Sequence, residues 1–161
     1  MSDTFTLTPI GRIACTRTRA DDDNWDAEKT TITLDPDVLE QDAAAQLDSF
    51  SHVEVIYLFD QVPDEKIVRG ARHPRGNRDW PQVGILAQRG KNRPNRLGAT
   101  MCKLLSVDGL TVEVAGLDAI DGTPVLDLKP VMTEFLPRGP VRQPDWSREL
   151  MKDYWAAPTS S

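Results

Sequence analysis

The chain has 161 residues, 39% hydrophobic and 27% charged, which fits one folded unit able to bury a core and excludes wholesale disorder. No apolar run reaches the ~20 residues of a membrane helix, and two separated cysteines, Cys15 and Cys102, exclude a disulfide scaffold and a thiolate zinc site. The net charge of −6 argues against a uniformly basic nucleic-acid binder, but that charge is unevenly spread.

The first five residues, Met1-Ser2-Asp3-Thr4-Phe5, lack the basic-then-apolar pattern of a secretory leader, so none is expected, and a reducing cytoplasm is the expected setting. Alternating Thr and apolar residues predict strands at Thr6–Cys15 and Thr30–Leu34. The stretch between them begins an acidic region, Asp21 to Asp48, in which Lys29 is the only base. Asp35-Pro36 reads as a helix start, and Leu39, Ala43, Ala44 and Leu47 recur at helical spacing behind it. Val53–Phe59 is nearly all apolar and β-forming, which predicts a strand buried on both faces.

Residues 62–82 are polar and contain Pro63, Gly70, Pro74, Gly76 and Pro81, the composition of a long loop. From Lys66 to Arg96 nine basic side chains face one acid, Asp79, giving +8 and leaving −14 for the rest. Two readings stand side by side: a solvated arginine-rich loop, or a face for phosphate or carboxylate, which the guanidinium fork suits. Strand character returns at Val83–Gln88 and Ala99–Val107, where a bulge is expected, and Asp108-Gly109 predicts a hairpin into Leu110–Val114. A last strand is predicted at Pro124–Leu128, then a proline-rich tail with a short helix at Ser147–Trp155. Many short strands and one or two short helices give a mainly β fold, a small barrel over 1–136 with a tail over 137–161. The Rossmann and P-loop fingerprints are absent, and His52 and His73 are too far apart for a helical metal pair, so no metal is expected.

Two segments are dense in chemistry. Val83-Gly84-Ile85-Leu86-Ala87-Gln88-Arg89 runs into Asn92-Arg93-Pro94-Asn95-Arg96-Leu97-Gly98, where Pro94 stiffens a turn between Arg93 and Asn95. The second, Gly116-Leu117-Asp118-Ala119-Ile120-Asp121-Gly122-Thr123-Pro124-Val125-Leu126-Asp127-Leu128-Lys129-Pro130, concentrates carboxylates. Asp127 and Lys129 share a strand face, as an ion pair or as ligand contacts.

Together these segments resemble the TrmO family, also called TsaA-like or YaeB-like proteins. Its motifs read Gly-Val-Phe-Ala-Thr-Arg, Arg-Pro-Asn-Pro-Ile-Gly and Asp-Gly-Thr-Pro-Val-Leu-Asp-Ile-Lys-Pro-Tyr. Pro9-Ile10-Gly11-Arg12-Ile13, Phe50-Ser51-His52-Val53 and His73-Pro74-Arg75-Gly76 match its earlier motifs, so the resemblance runs from about residue 5 to 136. It implies a TsaA-like β-barrel, a homodimer, S-adenosylmethionine as cofactor, and N6-methylation of threonylcarbamoyladenosine beside the anticodon of tRNA. By position it implies cofactor contacts from Asp60 (where the family commonly has His), Gln61, Arg89, Leu97, Gly116, Leu117 and Asp118. Arg75, Lys91, Arg93, Asn95, Asp127 and Lys129 are candidates for the substrate, and no general base is named.

An arginine suits the cofactor's carboxylate, and an aspartate its ribose hydroxyls or ammonium. Methyl transfer from a sulfonium is an in-line displacement on an already activated group, so positioning is the main demand. Arg96 and Val131 depart from the motifs, replacing a proline and a tyrosine, the latter a ring on which a base could stack. With a short tail, two other readings stay open: a methyltransferase for a small molecule or protein, and a non-catalytic S-adenosylmethionine-binding dimer.

Overall fold

Alternation of apolar and polar side chains builds the barrel wall. The computed structural model describes residues 2–157. Its strands are β1 (Gly11–Ala14), β2 (Lys29–Leu34), β3 (His52–Leu58), β4 (Ala71–Arg72), β5 (Val83–Gly84), β6 (Leu97–Asp108), β7 (Thr111–Ala115) and β8 (Pro124–Pro130). Six of them close into an antiparallel barrel in the order β1-β2-β7-β6-β3-β8, and β4 and β5 pair outside it. Closure leaves the wall without a free edge. Its inward residues are period-two sets: Ile32 and Leu34 from β2, Val53, Val55 and Tyr57 from β3, Val112 and Val114 from β7, and Val125 from β8.

The 12-residue β6 joins two halves of the barrel. Leu97–Lys103 pair with β3 and Lys103–Asp108 with β7, with a register shift between Leu104 and Ser106. Such a shift, a bulge or irregularity, bends a strand where it must serve two neighbours. The hairpin to β7 turns at Gly109, whose φ of 57° is open to glycine at little cost.

Several expectations need correcting. The strand over Thr6–Cys15 shortens to Gly11–Ala14; Pro9 cannot donate to a ladder. No α-helix forms over Asp35–Leu47. Successive i to i+3 hydrogen bonds, such as Ala43 N to Glu40 O (3.1 Å) and Leu47 N to Ala44 O (3.1 Å), give a chain of turns ending in a 3-10 turn at Leu47–Ser49. Gln46 there takes a left-handed φ of 70°, and only Leu39, Ala44 and Leu47 reach the core, too small an apolar face to offset helix nucleation. The β3 strand buries one face only, its other residues Glu54, Ile56 and Leu58 being half-buried. The strand over Val83–Gln88 stops at Gly84 and continues as a 3-10 turn, Ile85–Ala87. The Gln88 amide competes there, donating to Val83 O (3.0 Å) and Arg72 O (3.2 Å). The tail helix α1 spans Asp145–Met151, earlier than expected.

Candidate functional site

At one end of the barrel, strands and tail converge on one carboxylate. After β7 the chain turns at Gly116 (φ 81°) and plugs Leu117, fully buried, into the core. Asp118 then points the other way. Its Oδ1 accepts from the Tyr57 hydroxyl (2.9 Å) and from Thr100 Oγ1, and its Oδ2 accepts from the Tyr154 hydroxyl in the tail. Tyr57 Oη also lies 3.3 Å from Thr100 Oγ1. Among the described residues no lysine or arginine forms an ion pair with Asp118. Three hydroxyls fix the carboxylate without cancelling its charge.

Beside Asp118 lies a hollow of about 100 Å³ walled by Trp25, Phe59 and Ile120, with Gln61, Lys91 and Asp118 among its polar lining. The Tyr57 and Phe59 rings meet edge to face at 5.2 Å, which sets the Phe59 wall. Trp25 is 3% exposed, and the Arg17 guanidinium covers its ring at 3.7 Å from the centroid. Arg17 is itself held by Asn24 O (3.1 Å) and Asp23 O (3.0 Å).

Burial and then the Asp118 charge push the Tyr57 and Tyr154 phenols far above their ordinary 10.0, and the same causes push the Cys102 thiol far above 9.0. Each group therefore holds its proton more tightly folded than unfolded. Their stabilisation is complete below the unfolded values and is lost as pH rises past them. Above pH 10 Tyr57 alone is expected to remove about 1.4 kcal/mol per pH unit. Urea midpoints measured from pH 8 to 11.5 should hold to about 9 and then fall, and a flat profile would contradict this assignment.

Of the residues singled out from sequence, Asp60, Gln61, Lys91 and Asp118 line the hollow. Lys91, expected to meet the substrate, stands with the presumed cofactor contacts. Leu117, fully buried in the core, lies outside the lining and exposes nothing to a ligand there. Arg89 and Leu97 lie outside the lining: Arg89 donates to Ala99 O (2.6 Å) on β6, and Leu97 is 41% exposed. Asp127 accepts from Leu128 N (2.9 Å) and pairs with Lys129 at 3.4 Å on β8, so the ion pair is what forms. Asn95 holds a left-handed φ of 63° in the turn before β6.

Much of the basic stretch is structural. Arg75 pairs with Asp22 (3.8 Å) and Asp23 (3.0 Å), joining the basic loop to the acidic one. Arg93 donates to Gln88 O (2.6 Å), and Arg96 donates to Val62 O (2.6 Å) and pairs with Asp64. Arg72 donates to Gln88 Oε1 (3.4 Å). Lys66, Arg69, Arg78 and Lys91 stay exposed and outside every ion pair among the described residues. Tyr57, Thr100, Trp25, Phe59 and Tyr154 were not foreseen as site residues; aromatic placement in the tail and acidic loop was the one signal available.

The closed barrel is a fold shared with solved structures. TrmO from P. aeruginosa superposes with a TM-score of 0.73 over 91% of this chain and 63% of that one, at 25% identity. Residues 20–135 match the profile of the tRNA-methyltransferase O N-terminal domain, and the chain belongs to that family. A probable S-adenosyl-L-methionine-binding protein of Methanothermobacter thermautotrophicus is 34% identical over 77% of this chain and 88% of its own length. The tRNA (adenine(37)-N6)-methyltransferases of Mus musculus and Escherichia coli are 37% and 35% identical over 55% and 60% of this chain. This chain spans only 20% and 43% of those two proteins.

Proposed function

We propose that this chain is an S-adenosylmethionine-dependent methyltransferase acting on N6 of threonylcarbamoyladenosine beside the anticodon of tRNA. The observation that carries the cofactor is Asp118, a carboxylate with no cationic partner among the described residues, in the lining of an aromatic hollow. Such a site suits a ligand that is cationic and largely apolar. Asp118 would take the cationic end, Lys91 the carboxylate and Gln61 a polar edge. At about 100 Å³ the hollow is well below the roughly 300–1,000 Å³ of a pocket that encloses a whole ligand of this size, so it would hold one end of the cofactor. When bound, the cofactor supplies an activated methyl group. The protein's own residues orient it and exclude water from the apolar wall. Family membership and the tRNA (adenine(37)-N6)-methyltransferase relatives support the acceptor, and Lys66, Arg69 and Arg78 are the cations of the stretch left to meet phosphates.

One observation favours a second reading, a small-molecule or protein acceptor: five of the nine basic side chains in the stretch, Arg72, Arg75, Arg89, Arg93 and Arg96, are spent on internal partners. Incubation with methyl-labelled cofactor and tRNA containing or lacking threonylcarbamoyladenosine separates the two. Label on the adenine N6 of the modified pool alone is the expected result. Label in metabolites or proteins with none in tRNA supports the second reading.

The same proposal includes a homodimer. Leu97 (41% exposed), Met101 (44%) and Leu105 (41%) lie along the outside of β6, with Leu86 (83%) also open to solvent. A second copy is the occupant this apolar face suits, and it would bury the outward part of the motif that carries Leu97. Met101→Glu is expected to convert a dimer sedimenting at twice the chain mass into a folded monomer with an unchanged far-ultraviolet circular dichroism spectrum and a melting temperature that no longer depends on protein concentration. A wild-type chain that sediments as a monomer at high concentration removes the homodimer.

A further inference from the structure

We infer that the C-terminal tail is a working part of the cofactor site, with Tyr154 as a positioning residue; this rests on the cofactor reading above. The tail is fastened by hydrogen bonds and by the partly buried side chains of Trp146, Leu150, Met151 and Tyr154. No residue of α1 is buried, and its Glu149 accepts from Trp80 Nε1 at 2.8 Å. Beyond the helix the backbone runs beside the acidic loop: Asn24 N donates to Asp153 O (3.1 Å) and Trp25 N to Tyr154 O (2.9 Å). The Asn24 side chain adds donations to Ala156 O (3.1 Å) and Ala157 O (3.3 Å). Tyr154 then reaches Asp118 Oδ2.

Both groups that the tail holds belong to the hollow. Trp25 is one of its walls and Asp118 one of its charges, beside Asp60 and Lys91. Residues 23–25 are clamped from two sides, by the Arg17 guanidinium on the carbonyls of Asp23 and Asn24 and by the tail on the N–H groups of Asn24 and Trp25. The carboxylate is clamped likewise. Tyr57 and Thr100 take Oδ1 from the barrel, and Tyr154 takes Oδ2 from the tail. Tyr154 itself is not part of the hollow's lining. It therefore arranges the site without filling it, and the sign of its effect on binding is favourable.

A terminal segment with no fully buried helical residue, docked through hydrogen bonds and partly buried side chains, opens below the global unfolding free energy. Docking that orders a binding site must in turn be strengthened by the ligand, by the same factor. That reciprocity gives a readout that a merely stabilising tail would not move.

The experiment measures S-adenosylmethionine binding by calorimetry for the full chain, a chain ending at Pro144, and Tyr154→Phe. Amide exchange of residues 145–157 is followed in the full chain with and without the cofactor. Ending at Pro144 should weaken binding tenfold or more, and Tyr154→Phe three- to tenfold. In turnover Tyr154→Phe should raise KM for the cofactor and spare kcat. The cofactor should slow tail exchange by a factor comparable to the truncation penalty. Unchanged or tighter binding by both variants, with tail exchange indifferent to the cofactor, overturns the tail's role and leaves the cofactor reading standing. If the shortened chain does not fold, Tyr154→Phe and the exchange of the full chain decide. If the full chain itself does not bind the cofactor, the reading of the hollow fails and the tail's role falls with it.

Discussion

Asp118→Asn is expected to weaken S-adenosylmethionine binding about thirtyfold, roughly 2 kcal/mol, while 5′-methylthioadenosine binds within about threefold of wild type. The two ligands share the nucleoside, but the second carries no positive charge. Opposite unit charges about 4 Å apart are worth about 4 kcal/mol at an effective dielectric near 20, and less where water reaches the pair. The Asp118 carboxylate is half-buried and outside every ion pair among the described residues, so a share of that figure is what the charge contributes. Asparagine keeps the shape and one good acceptor. It can still take the Tyr57 and Thr100 hydroxyls on its oxygen, and its amide can donate to a rotated Tyr154 hydroxyl. Neutral hydrogen bonds are weaker than charge-assisted ones, so a stability loss of about 1–2 kcal/mol accompanies the change. Calorimetry with both ligands and a urea titration check this. Equal losses for the two ligands would mean that Asp118 reads ribose hydroxyls, and the cationic end would need another partner.

The barrel was legible because its strands state their period. Thr30, Ile32 and Leu34 alternate with polar residues on β2, as do Val112 and Val114 on β7, and each set lies on the inner face. Legibility failed where a side chain diverted the backbone. Gln88 captures the carbonyls that a strand over Val83–Gln88 would have used, and the apolar run of β3 needed only one buried face. Charge counting failed for a similar reason, since it cannot tell a guanidinium facing solvent from one capping a carbonyl, as Arg93 and Arg96 do.

For the candidate site, spacing placed Gln61 and Asp118 at the hollow because they sit within motifs. The partners of Asp118 were invisible to spacing. Tyr57, Thr100 and Tyr154 lie 61, 18 and 36 residues away in sequence. Barrel register brings the first two in, since β3 sets Val55 against Thr100 and Tyr57 against Gly98. Tail docking brings the third. A sequence carries such contacts only through the closed fold.

Gly98→Ala tests the joint between that fold and the site. Gly98 faces Tyr57 across the ladder, and a Cβ built on it would lie 2.4 Å from the Cε2 and Cζ atoms of the ring. No real Cβ contact is that short, so ring or strand must move. The ring has little freedom, being 1% exposed, packed against Phe59 and tied through its hydroxyl to Asp118. Overpacking a filled core typically costs 1–3 kcal/mol, and a locked aromatic ring places this variant at the upper end, about 3 kcal/mol. At a urea slope of about 2 kcal/mol/M the midpoint should fall by roughly 1.5 M. Gly84→Ala is the control, because a Cβ there meets nothing within 4 Å and its backbone is not left-handed; it should stay within about 0.5 kcal/mol. Cofactor affinity should fall with Gly98→Ala as well, since the displaced phenol no longer holds Asp118 Oδ1. Adding Tyr57→Leu removes the clash, so the double variant should be more stable than the sum of the single losses implies. Additive losses, or a Gly98→Ala variant as stable as the Gly84 control, would show that the close approach does not constrain the ring and that Asp118 is positioned by Thr100 and Tyr154 alone.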